Sequence, residues 1–124
     1  MKPAETTWTI LVVDRNPNVR QYLKRELAWV GYRVLLAENC RSVVRMVQDK
    51  TIFDLVILDP DLPDEGSASL LQTLRQERPG TPIIIHSLVT DTIGHESVTN
   101  NTDFVEKDGR SIEHLKQVVA HRLA

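Results

Sequence analysis

Apolar residues along this chain fall into short unbroken runs, separated by longer segments in which they return every three or four positions. The first run, Trp8-Thr9-Ile10-Leu11-Val12-Val13, is rich in β-formers and stops at Asp14-Arg15-Asn16-Pro17. Asn16 suits a helix cap, and Pro17 suits the first helical position, where a missing N–H costs nothing. Val19, Tyr22, Leu23, Leu27 and Val30 then recur at helical spacing until Gly31. A second run covers Tyr32 to Ala37, and Asn39 caps a helix carrying Val43, Val44 and Val47. The third run, Leu55-Val56-Ile57-Leu58, ends at Asp59 and a Pro- and acid-rich loop to Gly66. Leu70, Leu71 and Leu74 mark a helix that stops before Pro79-Gly80. Pro82 to Ser87 is the fourth run and Phe104-Val105-Glu106 a short fifth strand. Ser111 then caps a last helix with Ile112, Leu115, Val118 and Val119 inward. The weak unit is Thr90 to Asn101, rich in Thr, Ser and Asn and interrupted by Gly94, where a short or frayed fourth helix is expected.

Strands that are apolar without alternation must be buried on both faces, which predicts an α/β fold: a parallel sheet with helices on either side. The 124 residues match one domain, 1–124, with its core over about 9–123. Lys and Arg total 15 against 17 Asp and Glu, a net charge of -2, which excludes a broad electrostatic footprint for nucleic acid. Aromatic residues at 5% are poor material for base stacking. No apolar run approaches the roughly 20 residues of a membrane span, and Met1 to Thr7, with Pro3, lacks a signal-peptide core. The single cysteine, Cys40, excludes an internal disulfide and reads as a small filler near a helix start. These features together predict a cytoplasmic domain with no direct nucleic-acid or membrane contact.

Ligands of open parallel sheets bind outside the carboxyl ends of the strands. Asp14 ends the first strand, Asp59 the third and Ser87 the fourth, with Lys107 just past the fifth. Two carboxylates, a hydroxyl and an ammonium are expected to converge there. Carboxylates forced together need a cation, and a hard divalent ion is the natural guest. An Asp in such a site can also attack phosphorus, while Lys107 and Ser87 receive the phosphoryl oxygens.

Val12-Val13-Asp14, Leu58-Asp59 followed by Leu62-Pro63, Ser87 and Lys107 stand in an order that resembles the receiver domain of two-component response regulators. The likeness runs from about Thr9 to Leu123. It implies a flavodoxin-like fold with strand order 2-1-3-4-5 flanked by five helices. It also implies a phosphorelay signalling module, not an enzyme. Asp59 is then the phosphoacceptor, supplied by a sensor histidine kinase or phosphotransfer protein and acting on a downstream effector protein or domain. Mg²⁺ would be held by Asp14, Asp59 and the backbone carbonyl of Asp61. Ser87 and Lys107 would bind the phosphoryl group, and Phe104 would be the aromatic that changes rotamer.

Arg15 departs from this pattern, standing where the family carries a second acid. A guanidinium about 5 Å from a divalent ion costs at most roughly 6–7 kcal/mol at an effective dielectric of about 20, enough to weaken Mg²⁺ binding by orders of magnitude. Arg15 is read either as a solvated surface residue or as one that pairs with Asp59 in the metal's place. Leu88 stands where the family prefers a smaller residue and would narrow access to Asp59. A phosphorylation-independent pseudo-receiver is therefore the alternative function. Asp59-Pro60-Asp61 also fits the D-x-D of haloacid-dehalogenase-type phosphatases, although that motif belongs after a first strand. Arg20, Lys24 and Arg25 read as a solvated outer face of the first helix. The four histidines (His86, His95, His114, His121) lack metal spacing and are expected to be satisfied or exposed.

Overall fold

A computed structural model describes residues 7–64, 67–88, 101–108 and 111–123. The described elements run β1 (Thr9–Val13), α1 (Pro17–Val30), β2 (Arg33–Ala37), α2 (Cys40–Gln48), β3 (Leu55–Leu58), α3 (Ser67–Glu77), β4 (Ile83–Ser87), β5 (Thr102–Glu106) and α4 (Ser111–Leu123). All strand pairs are parallel and the sheet order is β2-β1-β3-β4-β5, the order the resemblance implied. Four helices lie among the described residues, and the weak helix expected between Thr90 and Asn101 falls almost wholly outside them. The fifth strand begins two residues before the apolar run that announced it, because Thr102 and Asp103 pair with Ile83 and Ile84.

The pleat divides each apolar run between two cores. Leu11, Val13, Val56, Leu58, Ile83 and Ile85 face α2 and α3, where they meet Val43, Leu70, Leu71 and Leu74. Ile10, Val12, Leu55, Ile57, Ile84 and Val105 face α1 and α4, where they meet Leu23, Leu27, Leu115 and Val119. The edge strand β2 is only partly buried over Val34 to Leu36, so the two-sided burial expected of every strand holds fully for the inner ones.

Local sequence sets the helix ends. The Asn16 side chain accepts from the Asn18 N–H, Pro17 opens α1, and Gly31 closes it at φ 116°, a left-handed conformation that only glycine adopts without strain. Leu23 and Leu27 are buried as their spacing predicts, but Tyr22 and Val30 on the same pattern are exposed. A one-sided helix buries only a narrow stripe, and five residues spread over about three turns do not all fall on it. Asn39 caps α2 through the Ser42 N–H, and Asp64 accepts from the Cys40 and Arg41 N–H groups at 2.8 and 3.0 Å. Cys40 is the buried first residue of α2, where burial pushes its thiol up to about 11.

Candidate functional site

Strand register builds the site. Val13 pairs with Leu58, so the next residues, Asp14 and Asp59, leave the sheet side by side. Their amides are held by Ala37 O at 3.1 Å and Val13 O at 2.9 Å. Ser87 ends β4 opposite Glu106, and the Lys107 N–H donates to Ser87 O at 2.7 Å, which turns Lys107 over the same edge. Asp14 and Asp59 are 2% and 6% exposed, too little for water to be their main partner.

Lys107 supplies that partner. Its ammonium lies 2.7 Å from Asp14 Oδ2 and in direct contact with Asp59 Oδ2, bridging the two carboxylates. The remaining oxygens accept backbone bonds: Asp14 Oδ1 from Asn16 N–H at 2.9 Å, and Asp59 Oδ1 from Asp61 N–H at 2.8 Å. Burial alone lowers the Lys107 pKa, but the hydrogen bonds and charges of Asp14 and Asp59 outweigh it and hold the ammonium above its ordinary value.

Arg15 does not pair with Asp59. Its guanidinium stands 3.7 Å from Asp61 Oδ1, both side chains largely in solvent, so the cation that occupies the acidic pair is Lys107. Ser87 is buried at the same edge and its hydroxyl donates to Leu88 O at 3.3 Å. Leu88 itself is 57% exposed, so its side chain projects into solvent. Phe104 is half-buried on β5 and packs against the cluster facing α2 and α3.

A hard divalent ion needs several converging oxygens. This site offers two carboxylates already bridged by an ammonium, with a guanidinium as the next side chain along. Among the described residues no group of three or more His, Cys, Asp or Glu converges as a metal cage. A divalent ion at this edge would have to displace the Lys107 ammonium from the acidic pair.

Two residues of the site's surroundings escaped the sequence reading. Arg20 is no solvated outer-face residue: its Nη1 donates to Asp14 O at 2.8 Å and Arg15 O at 3.1 Å, and its other terminal nitrogen meets Glu38 at 3.7 Å. The signal was available, since an arginine in the first turn of a helix can reach back over the loop that precedes it. The second is His86, one residue before Ser87 and 4% exposed. Its Nε2 lies 3.4 Å from Ser111 Oγ, while Nδ1 has no hydrogen-bond partner among the described residues, so it is only half satisfied. His114 and His121 are exposed, and His95 lies outside the described residues.

Burial, and then the Lys107 charge, depress the His86 pKa to about 4, against weaker opposing pulls from Asp59 and Asp108. The folded state therefore binds this proton less readily than the unfolded chain. His86 costs no stability above about pH 6.5 and progressively more as pH falls toward 4, up to about 3 kcal/mol. Imidazole resonances followed by NMR should show His86 still neutral at pH 5.5. A His86 midpoint near 6.5 would refute it.

The sequence model of the response regulator receiver domain family matches residues 10–120. The DNA-binding transcriptional regulator NtrC of Bradyrhizobium sp. (strain RP501 Parasponia) is 37% identical over 79 residues, which are 64% of this chain and 16% of that protein. The chain thus spans about a sixth of that curated relative. The response regulator TrrA of Thermotoga maritima, in complex with Mg²⁺-BeF, superposes with a TM-score of 0.83 at 28% identity, covering 94% of this chain and 99% of that one. A structure of the histidine kinase ThkA in complex with TrrA matches with a TM-score of 0.82 at 29% identity, over 95% of this chain and 100% of the matched one.

Proposed function

Because the chain belongs to the response regulator receiver domain family, we propose that it is a phosphorelay module that accepts a phosphoryl group on Asp59 and switches partner binding in response. The observation that carries this is the bridge from Lys107 to Asp14 and Asp59 at the carboxyl edge of the sheet, with the Ser87 hydroxyl beside it.

An Asp59 oxygen supplies the electron pair for the new O–P bond. The P–N bond of a phosphohistidine breaks, and its pair leaves with the imidazole nitrogen. Lys107 offsets the negative charge gathered on the phosphoryl oxygens, and the Ser87 hydroxyl exchanges Leu88 O for one of them. Phe104, half-buried on β5 three residues before Lys107, is the aromatic that changes rotamer with that movement. TrrA is seen with a histidine kinase, which supports a histidine kinase or phosphotransfer protein as the donor here. NtrC is a DNA-binding transcriptional regulator, which supports a downstream effector protein or domain. No helix among the described residues is long and apolar enough to cross a membrane.

The metal site is altered. With Arg15 replacing an acid and Lys107 seated between the carboxylates, Asp14, Asp59 and the Asp61 carbonyl hold Mg²⁺ weakly. The same bridge favours a second reading, a pseudo-receiver whose site is compensated without phosphorylation. Intact-mass measurement separates the two. Incubated with a small phosphodonor, the native chain should gain the mass of one phosphoryl group and Asp59→Asn should gain none. A native chain that gains nothing is a pseudo-receiver.

A further inference from the structure

We infer that Arg15 is a phosphoryl-recognising residue, whose guanidinium does the charge-balancing work of a divalent cation and lets Asp59 accept a phosphoryl group without a metal. The inference rests on the reading of Asp59 as the acceptor. Asp14 and Asp59 are buried with a single ammonium, Lys107, between them, which leaves one negative charge in excess. A phosphoryl group brings further anionic oxygens to that excess. Arg15, the residue after Asp14, supplies the second cation, although with Asp61 counted the five side chains still carry one net negative charge before a phosphoryl group arrives.

Its placement suits the task. Asp61 N–H is bonded to Asp59 Oδ1, so the Asp61 carboxylate marks the lip of the site, and the Arg15 guanidinium stands beside it. That pair is long, at 3.7 Å, and its side chains are 51% and 71% exposed, so it is readily exchanged for a better anion. The guanidinium fork matches two phosphoryl oxygens at once. The Arg15 backbone, by contrast, is anchored, because Arg20 holds the carbonyls of Asp14 and Arg15 and is itself tied to Glu38. A fixed base with a free head group is what repeated capture and release of a phosphoryl group requires.

In the reaction with phosphoramidate, an Asp59 oxygen forms the O–P bond and the P–N bond breaks. The already protonated nitrogen leaves as ammonia, while Arg15 and Lys107 offset part of the charge on the phosphoryl oxygens.

The test compares native protein, Arg15→Gln, Arg15→Lys and Arg15→Asp with phosphoramidate, in EDTA and with Mg²⁺. Uptake is followed by intact mass and Mg²⁺ binding by calorimetry. The native chain should react equally in both media and bind Mg²⁺ more weakly than Arg15→Asp. Arg15→Gln should slow the metal-free reaction at least about tenfold, and Arg15→Lys should recover part of that loss. Arg15→Asp should bind Mg²⁺ and react only in its presence. Native uptake that requires Mg²⁺, or Arg15→Gln matching native in EDTA, overturns the role of Arg15 and leaves Asp59 as acceptor. No uptake by any variant in either medium overturns both.

Discussion

Lys107→Met is expected to destabilise the domain by about 3–5 kcal/mol at pH 7, although it removes a half-buried charge. Two carboxylates, 2% and 6% exposed, would be left facing each other with no ammonium between them. Water reaches neither well, so their repulsion is poorly screened, and the pair takes up a proton more readily in the folded than in the unfolded state. A raised folded pKa means that the deficit is largest at neutral pH and shrinks as the solution is acidified toward pH 4. Urea denaturation at pH 7 and pH 5 measures this directly. Asp14→Asn added to Lys107→Met should restore most of the loss at pH 7, the non-additivity expected of side chains in contact. A deficit under about 1 kcal/mol, or one that grows in acid, would mean that the pair is hydrated and that Lys107 contributes little to folding.

The second large effect is in the core under α1. Leu27→Ala should cost about 3 kcal/mol and lower Tm by roughly 10 °C, because Leu27 is fully buried among Ile10, Val12, Leu55, Ile57 and Leu115. Trp29→Ala, two residues on, removes a larger side chain and should change stability by no more than about 0.5 kcal/mol, since Trp29 is 88% exposed. Thermal unfolding of the two variants checks the contrast, and a larger loss at Trp29 would show that α1 docks through a face other than the one described.

The elements were legible in the chain because their signals are local. Asn16-Pro17 and Gly31 bracket α1, Asn39 opens α2, and the apolar runs announce β1 to β4, each from residues within a few positions of one another. Thr102 and Asp103 were not legible as strand, since nothing apolar in them announces it and only pairing with Ile83 and Ile84 makes them one. The convergence of Asp14, Asp59 and Lys107 was also readable, because a parallel sheet brings its strand ends to one edge whatever the helices between them do.

How charge is shared at that edge was not readable. The sequence alone left Arg15 either in solvent or on Asp59, and it took the fold to put Lys107, forty-eight residues from Asp59, onto the acidic pair and to leave Arg15 beside Asp61. His86 carried no mark of its partner, and for Arg20 only its place in the first turn of α1 hinted at the loop it holds. Arg20 reaches back to the β1–α1 loop and across to Glu38, and His86 is sealed beside Ser111. Backbone pattern repeats every two or every 3.6 residues and can be read along the chain. The partner of a charged side chain depends on which distant segments the folded backbone brings within a few ångströms, and only the tertiary structure decides that.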